Sequence, residues 1–179
     1  GQRRSYTPVY NIIFKKFKNK KIKLAEIGIA ESKSVKMWRN YFKKALIYGF
    51  DFDQKFINDG KKLKLPKTFY NHINVKSATS IRKSLKKLNT KFDIIIDDST
   101  HDENDQIRIA LNSHKFLKKG GIIVVEDIES YNDQVELKFF NFLKSLKKIF
   151  CKIYFVECQN HNNFSPFWNK DKILIMEKK

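Results

Sequence analysis

Two short apolar runs, each ending abruptly in acids, constrain this chain more than anything else in it. The first is Phe92-Asp93-Ile94-Ile95-Ile96-Asp97-Asp98-Ser99-Thr100-His101, and the second is Gly121-Ile122-Ile123-Val124-Val125-Glu126-Asp127. Runs of β-branched residues this short suit strands buried on both faces of a parallel sheet. Between them Ile107, Ala110, Leu111, His114 and Leu117 share one helical stripe, and Gly120-Gly121 is expected to close that helix. Strand, helix and strand within about 35 residues make a crossover unit, which puts both acidic ends on the same sheet edge. Open α/β sheets bind ligands at that edge, so four carboxylates and one imidazole converge on a candidate site.

The remaining segments extend the pattern. Thr7-Pro8 reads as a helix start, with Val9, Ile12, Ile13 and Phe17 as the inner face of a helix over residues 8–18. Lys23 to Gly28 reads as the first strand. Ser34 is placed to cap a helix whose inner face holds Val35, Trp38 and Phe42, and a second strand runs from Ala45 to Asp51. Residues 54–68 read as loop plus a short helix, Phe69 to Val75 as a strand, and Thr79 or Ser80 as the cap of a helix carrying Ile81, Leu85 and Leu88. A long helix from about Asn132 to Phe150 precedes strands at Lys152 to Glu157 and Ile173 to Glu177. The Asn-rich linker between those strands, Cys158 to Asp171, predicts an antiparallel pair. The expected fold is α/β: a doubly wound, mostly parallel seven-stranded sheet with a C-terminal antiparallel hairpin, one domain over residues 1–179.

Composition narrows the class. No apolar run reaches the roughly 18 residues a membrane span needs. Cys151 and Cys158, on an extended segment, would stand about 23 Å apart, too far for a bridge. Two reduced thiols suit a cytoplasmic protein, in the host cytoplasm if the source is a virus. The first residue is Gly, so a trimmed chain or a piece of a longer protein is expected, and the Lys- and Asn-biased composition fits a large DNA virus or an AT-rich microbe. The formal net charge of +18 invites a nucleic-acid partner, yet the lysines are spread through every segment and only 5 of the 37 basic residues are arginine. A solvated lysine-rich surface is the plainer reading.

The strand ends carry the chemistry. Glu26-x-Gly28-x-Ala30 sets an acid and a small residue where strand turns into helix. It lacks the second and third glycines that a pyrophosphate needs, and Glu26 suits a ligand with an ammonium group; a purely structural turn fits the same residues. Asp51, ending the second strand, suits hydrogen bonding to ribose hydroxyls, a role its neighbour Asp53 can also take. Asp98, Glu126 and Asp127 offer hard oxygen ligands for Mg²⁺ or a similar cation, with His101 in reach to take a proton near neutral pH. Otherwise these acids cap helices or pair with lysines. His114 reads as a core residue, and Phe167 and Trp168 as core or a substrate wall.

With these residues assembled, the chain resembles the class I S-adenosylmethionine-dependent methyltransferases. More narrowly, it looks like the metal-dependent sugar O-methyltransferases of the macrocin and mycinamicin type, grouped with the cephalosporin hydroxylase-like family. The matching stretches are Ala25 to Glu31 running to Arg39, Ile47 to Asp51, Asp97-Asp98-Ser99-Thr100-His101, and Leu117 to Gly121 running into Val125-Glu126-Asp127-Ile128. Ser5 to Tyr10 looks like the group's entry segment. The resemblance implies S-adenosylmethionine and Mg²⁺ (or Mn²⁺) as cofactors and a carbohydrate acceptor, perhaps a deoxysugar. Glu26 and Gly28 would approach the methionine part, Asp51 the ribose, and Asp98, Glu126 and Asp127 the metal, with His101 as base. Asp97 would face the cofactor amino group or support the metal ligands from behind. Two departures stand out. The family's Asp-Gly-Ser-His is Asp98-Ser99-Thr100-His101 here, and Lys76-Ser77-Ala78-Thr79 lacks the acid often found near the adenine. Competing readings are an RNA methyltransferase, a catechol-type small-molecule O-methyltransferase and an inactive cofactor-binding module. The apparent absence of a lysine among the acidic strand ends argues against the RNA reading.

Overall fold

The computed structural model describes residues 6–157 and 172–179. Seven strands form one sheet: β1 (Lys23–Ile27), β2 (Leu46–Asp51), β3 (Thr68–His72), β4 (Phe92–Asp97), β5 (Leu117–Ile128), β6 (Phe150–Glu157) and β7 (Lys172–Lys178). Their order is β3-β2-β1-β4-β5-β7-β6. The first five run parallel, and β7 runs antiparallel between β5 and β6. This is the expected doubly wound sheet with its reversed strand, and that strand lies inside the sheet. Among the described residues no helix is long and apolar enough to cross a membrane. Cys151 is an exposed free thiol, while Cys158, His161, Phe167 and Trp168 lie outside the described residues.

Six helices cover the two faces: α1 (Thr7–Ile13), α2 (Lys33–Tyr41), α3 (Gln54–Lys62), α4 (Ala78–Lys87), α5 (Glu103–Ser113) and α6 (Asp133–Leu146). Successive strand residues point to opposite faces, so Leu24, Ile47, Ile94 and Val124 pack with α1 and α2. Ala25, Ile95, Ile123 and Val125 pack with α4, α5 and α6. Val35, Trp38 and Phe42 line α2's inner face as their spacing predicts, and Val135, Phe139, Phe142 and Leu146 do the same on α6.

Two helices are rotated from their expected faces. In α1 and the 3₁₀ turn after it, the buried residues are Tyr10, Phe14 and Phe17, while Ile12 is 76% exposed. Four rings pack together there: Tyr10 stacks on Phe14 at 5.2 Å, and both meet Trp38 edge-on at 5.0 and 5.8 Å. Rings bury more area per residue than the aliphatic alternative, so the aromatic stripe faces inward. In α5 the inward stripe is Asp105, Gln106, Ile109, Ala110 and Ser113, leaving Leu111 exposed. Two of its buried polar groups find partners: Asp105 accepts from Thr100 Oγ1 at 2.9 Å, and Gln106 donates to the Glu126 carbonyl at 2.8 Å. Local bonds that serve the site thus override the apolar pattern.

Several boundaries also shift. Gly120 and Gly121 lie inside β5, beyond a 3₁₀ turn at His114–Phe116, where β4 and β5 change register. Tyr6 occupies the N-cap of α1, its side chain turned to Asp127 rather than to the helix's first N–H groups. Ser32, in left-handed conformation, precedes α2 in place of Ser34. Ser77 caps α4, accepting from Ser80 N. Asp53 caps α3, accepting from Lys55 N at 2.7 Å, which is the structural role for that acid.

Gly28 marks the crossing of β1 and β4 exits. Its φ is +89°, and a Cβ there would drive into the Asp98 carbonyl. Gly120 has φ +71° with open space around its would-be Cβ. Gly28→Ala should therefore cost more than about 2 kcal/mol in urea unfolding, and Gly120→Ala only the left-handed penalty of about 1 kcal/mol. Equal costs would mean the crossing can relax.

Candidate active site

The carboxyl ends of β1, β2, β4 and β5 meet on one edge, and the strand order reverses between β1 and β4. Glu26, the penultimate residue of β1, is 1% exposed. Its Oε1 accepts from Trp38 Nε1 at 2.9 Å, and its Oε2 has no partner. Burial pushes this carboxyl up to about 8, against the bond from Trp38, and the Asp98 charge adds to the rise. An uncompensated carboxylate cannot sit in apolar surroundings cheaply, so the group stays protonated until a cation arrives.

After Ile27 the chain turns sharply at Gly28, whose N–H donates to Phe50 O at 2.8 Å. Asp51 braces this turn. Its Oδ2 accepts from the N–H groups of Ile29 and Ala30 at 3.0 and 3.1 Å, and its Oδ1 from Asp53 N at 2.9 Å. Ala30 and Ser32 both take positive φ as the loop enters α2.

At the end of β4, Asp97 pairs in register with Ile27 and is 1% exposed. Its Oδ1 accepts from Ser99 N–H and O–H at 3.2 and 2.7 Å, while Oδ2 has no partner. Burial raises it to about 7, opposed by the two Ser99 bonds. Asp98 is also pushed up by burial, and His101 pulls it back. His101 Nε2 lies 3.0 Å from Asp98 Oδ1, and its Nδ1 lies 3.6 Å from Asp127 Oδ2. The bond to Asp98 raises the imidazole's pKa, with burial opposing and Asp127 adding. His101 and Asp127 both adopt left-handed backbone, at φ 55° and 53°. Strain at two non-glycine residues facing each other is what a built site stores.

The end of β5 supplies Glu126 and Asp127. Glu126 accepts from Tyr10 Oη, and Asp127 Oδ1 accepts from Tyr6 Oη at 2.5 Å. Burial raises Glu126 well above the usual carboxylate range; the Asp98 charge adds to this, and the Tyr10 bond opposes it. Burial and the facing Glu126 push the Tyr10 phenol up in turn. A cavity of about 260 Å³ opens here, lined by Tyr6, Tyr10, Ser34, Trp38, Asp98 and Glu126 among others. Lys33 lines it too, paired with Glu31, which corrects the expectation that no lysine stands among the acidic ends.

The fold thus brings Glu26, Gly28, Asp51, Asp97, Asp98, His101, Glu126 and Asp127 to one edge of the sheet. Asp98, His101 and Asp127 offer ligand atoms within 4.8 Å of one another. Glu126 stands beside them, held by Tyr10, and Glu26 lies on the same face under Trp38. Asp97 points to the other face, as its register with Ile27 requires. Sequence reasoning missed Tyr10 as a site residue. Its signal was the Tyr6–Tyr10 spacing on one helical face. His72 is exposed with its ring tilted against Phe52 at 5.6 Å, and His114 is half-buried near Phe150, its pKa lowered by burial.

A doubly wound sheet with this strand order, closing on buried acids at the β1/β4 switch point, defines a Rossmann-like methyltransferase fold. The family model described as "Methyltransferase domain" matches residues 25–128, and the chain belongs to that family. Among curated proteins it is 27% identical over 131 residues to demethylmacrocin O-methyltransferase of Streptomyces fradiae, covering 69% of this chain and 31% of that protein. It is 28% identical over 133 residues to 8-demethyl-8-alpha-L-rhamnosyl tetracenomycin-C 2'-O-methyltransferase of Streptomyces olivaceus, covering 70% of this chain and 34% of that protein. The chain spans about a third of the length of these curated relatives. In fold it is similar to the MycE methyltransferase of mycinamycin biosynthesis, solved in complex with Mg and SAH. That likeness has a TM-score of 0.73 and 20% identity, over 97% of this chain and 49% of that one.

Two measurements probe the electrostatics. Glu26 binds a proton more tightly folded than unfolded, so its contribution to stability is complete below its ordinary value of 4.5 and is lost as pH rises through about 8. Urea titrations of the ligand-free protein should show stability falling across that window, and Glu26→Gln should flatten the fall. Tyr10→Phe leaves buried Glu126 without its donor and should cost about 1–3 kcal/mol at neutral pH. That cost should vanish in a Glu126→Leu background, which has no acceptor for the phenol.

Proposed function

We propose that this chain is an S-adenosylmethionine-dependent, divalent-metal-dependent O-methyltransferase acting on a sugar hydroxyl of a glycan or glycoside. The observation that carries this reading is the Asp98–His101–Asp127 group, with ligand atoms within 4.8 Å, at the carboxyl ends of β4 and β5. The rhamnosyl group in one relative's name supports the sugar acceptor. On this reading residues 1–179 make up a single methyltransferase domain.

The residues fit both absent groups. Asp98 and Asp127, with Glu126 adjoining, are hard oxygen donors suited to Mg²⁺ or Mn²⁺. The partnerless Oε2 of Glu26 and the glycine cradle at Gly28 suit the ammonium end of S-adenosylmethionine. Asp51 spends one lone pair of Oδ1 and two of Oδ2 on backbone N–H groups, which leaves acceptor capacity for ribose hydroxyls. When bound, the cofactor supplies the sulfonium methyl and the cation acidifies the acceptor hydroxyl.

This chain's own residues do the rest. His101 sits where it can take the hydroxyl proton. The bond to Asp98 raises its pKa, and a cation neutralising the neighbouring carboxylates would bring it back toward base work. Asp98 Oδ1 fixes the ring's orientation. Tyr10, Trp38 and Met37 wall the cavity's apolar side and exclude water, with Phe14 packed behind Tyr10 and Trp38. Holding acceptor and donor in line contributes most of the acceleration.

The test is mass spectrometry of a deoxysugar-glycoside panel with methyl-labelled cofactor, with and without chelator. Transfer should need the cation and fall at least about 100-fold in His101→Ala. Asp98→Asn should weaken Mn²⁺ binding in calorimetry. Chelator-resistant transfer, or full activity in His101→Ala, would sink the reading.

A further inference from the structure

We infer that the rim opposite the candidate site is a docking face for an anionic lipid surface. The lysines look scattered along the sequence because nearly every segment passes through this rim once. The strand N-termini and the helix C-termini meet there, and backbone bonds tie the connections together. Leu46 N donates to Ile22 O at 2.8 Å, Ile47 N to Lys67 O at 3.0 Å, and Lys179 N to Ile149 O at 3.0 Å. Lys16 Nζ reaches Gly120 O at 3.2 Å, and Lys23 N donates to Asp93 Oδ2 at 2.8 Å. Each connection carries exposed lysines, among them Lys20, Lys44, Lys67, Lys91, Lys119 and Lys148.

The rim's two strand acids are already taken: Asp93 by Lys118, and Glu177 by Lys16 and Lys152. The buried acids lie on the other edge, at Glu26, Asp97 and Glu126. The charge is therefore polarised along the strand direction. Lysines near helix C-termini complement the helix dipoles, but a dipole needs one such group per helix, and Lys61-Lys62 and Lys86-Lys87 exceed that.

Three features favour a lipid surface over nucleic acid. The ends of seven strands make a face about 29 Å wide, broad rather than grooved. Lysine is a hydrated point charge suited to a diffuse anionic surface, whereas bidentate phosphate recognition favours arginine. The exposed ring beside Lys67, Phe69, is already stacked on Tyr48 at 5.1 Å and so is not free to take a base. Docked this way, the acidic site faces the water, where no anionic surface opposes it.

Flotation on phosphatidylcholine vesicles, with and without phosphatidylserine, tests this. The full chain should bind only the anionic vesicles, and less with added salt. Joint Lys20→Gln, Lys44→Gln, Lys91→Gln and Lys119→Gln should weaken binding about 100-fold or more. Joint Lys36→Gln, Lys55→Gln, Lys76→Gln and Lys83→Gln removes the same charge from exposed sites off the rim, and should change binding less than about threefold. Matching melting curves for the two variants exclude misfolding. Equal losses in both, or no binding to anionic vesicles, would overturn the inference. So would displacement of the protein from vesicles by poly(U) at the same ionic strength, which would assign the face to nucleic acid.

Discussion

Burying carboxyl groups at the ends of parallel strands is the constraint on which the rest of this structure depends. Glu26, Asp97 and Glu126 are each at most 9% exposed, and two of their oxygens have no partner. Such groups resist ionisation until something positive arrives. The protein manages the cost with neutral donors: Trp38 on Glu26, Ser99 on Asp97 and Tyr10 on Glu126. These bonds satisfy part of each carboxyl and leave the remainder poised for a cationic ligand.

That arrangement ties packing to chemistry. The ring cluster of Tyr10, Phe14, Trp38 and Phe42 is the core between α1, α2 and the sheet. Two of its members point their polar atoms at site carboxylates. On the opposite face, Gln106 of α5 fixes the Glu126 carbonyl, and Asp105 holds Thr100 beside His101. Loosening either layer would therefore misplace acids as well as remove buried area. The left-handed turns at His101 and Asp127 persist because both neighbouring layers hold them.

The same topology polarises the surface. A parallel sheet sends all its strand C-termini to one rim and all its N-termini to the other. Acids concentrated at one set of ends and lysines at the other become separate faces once the chain is wound. A net charge of +18 thus coexists with an acidic pocket. The pocket draws in cations locally while the far rim dominates at long range.

The periodicity and the acid-terminated runs by themselves determined the sheet, its mostly parallel direction and the reversed strand, because strands buried on both faces have few other solutions. Asp97, Asp98, Glu126 and Asp127 were legible for the same reason: an apolar run must stop where its polar residues reach the edge. What only the tertiary structure decided were the side-chain partners. Ile12 and Leu111 looked like core and face solvent, since rings and bonds to the site set the rotation of α1 and α5. Tyr6 and Tyr10 meet Asp127 and Glu126 across 121 and 116 residues. Chain-local patterns carry no information about which groups will meet across such separations; that follows only when both faces of the sheet are packed at once.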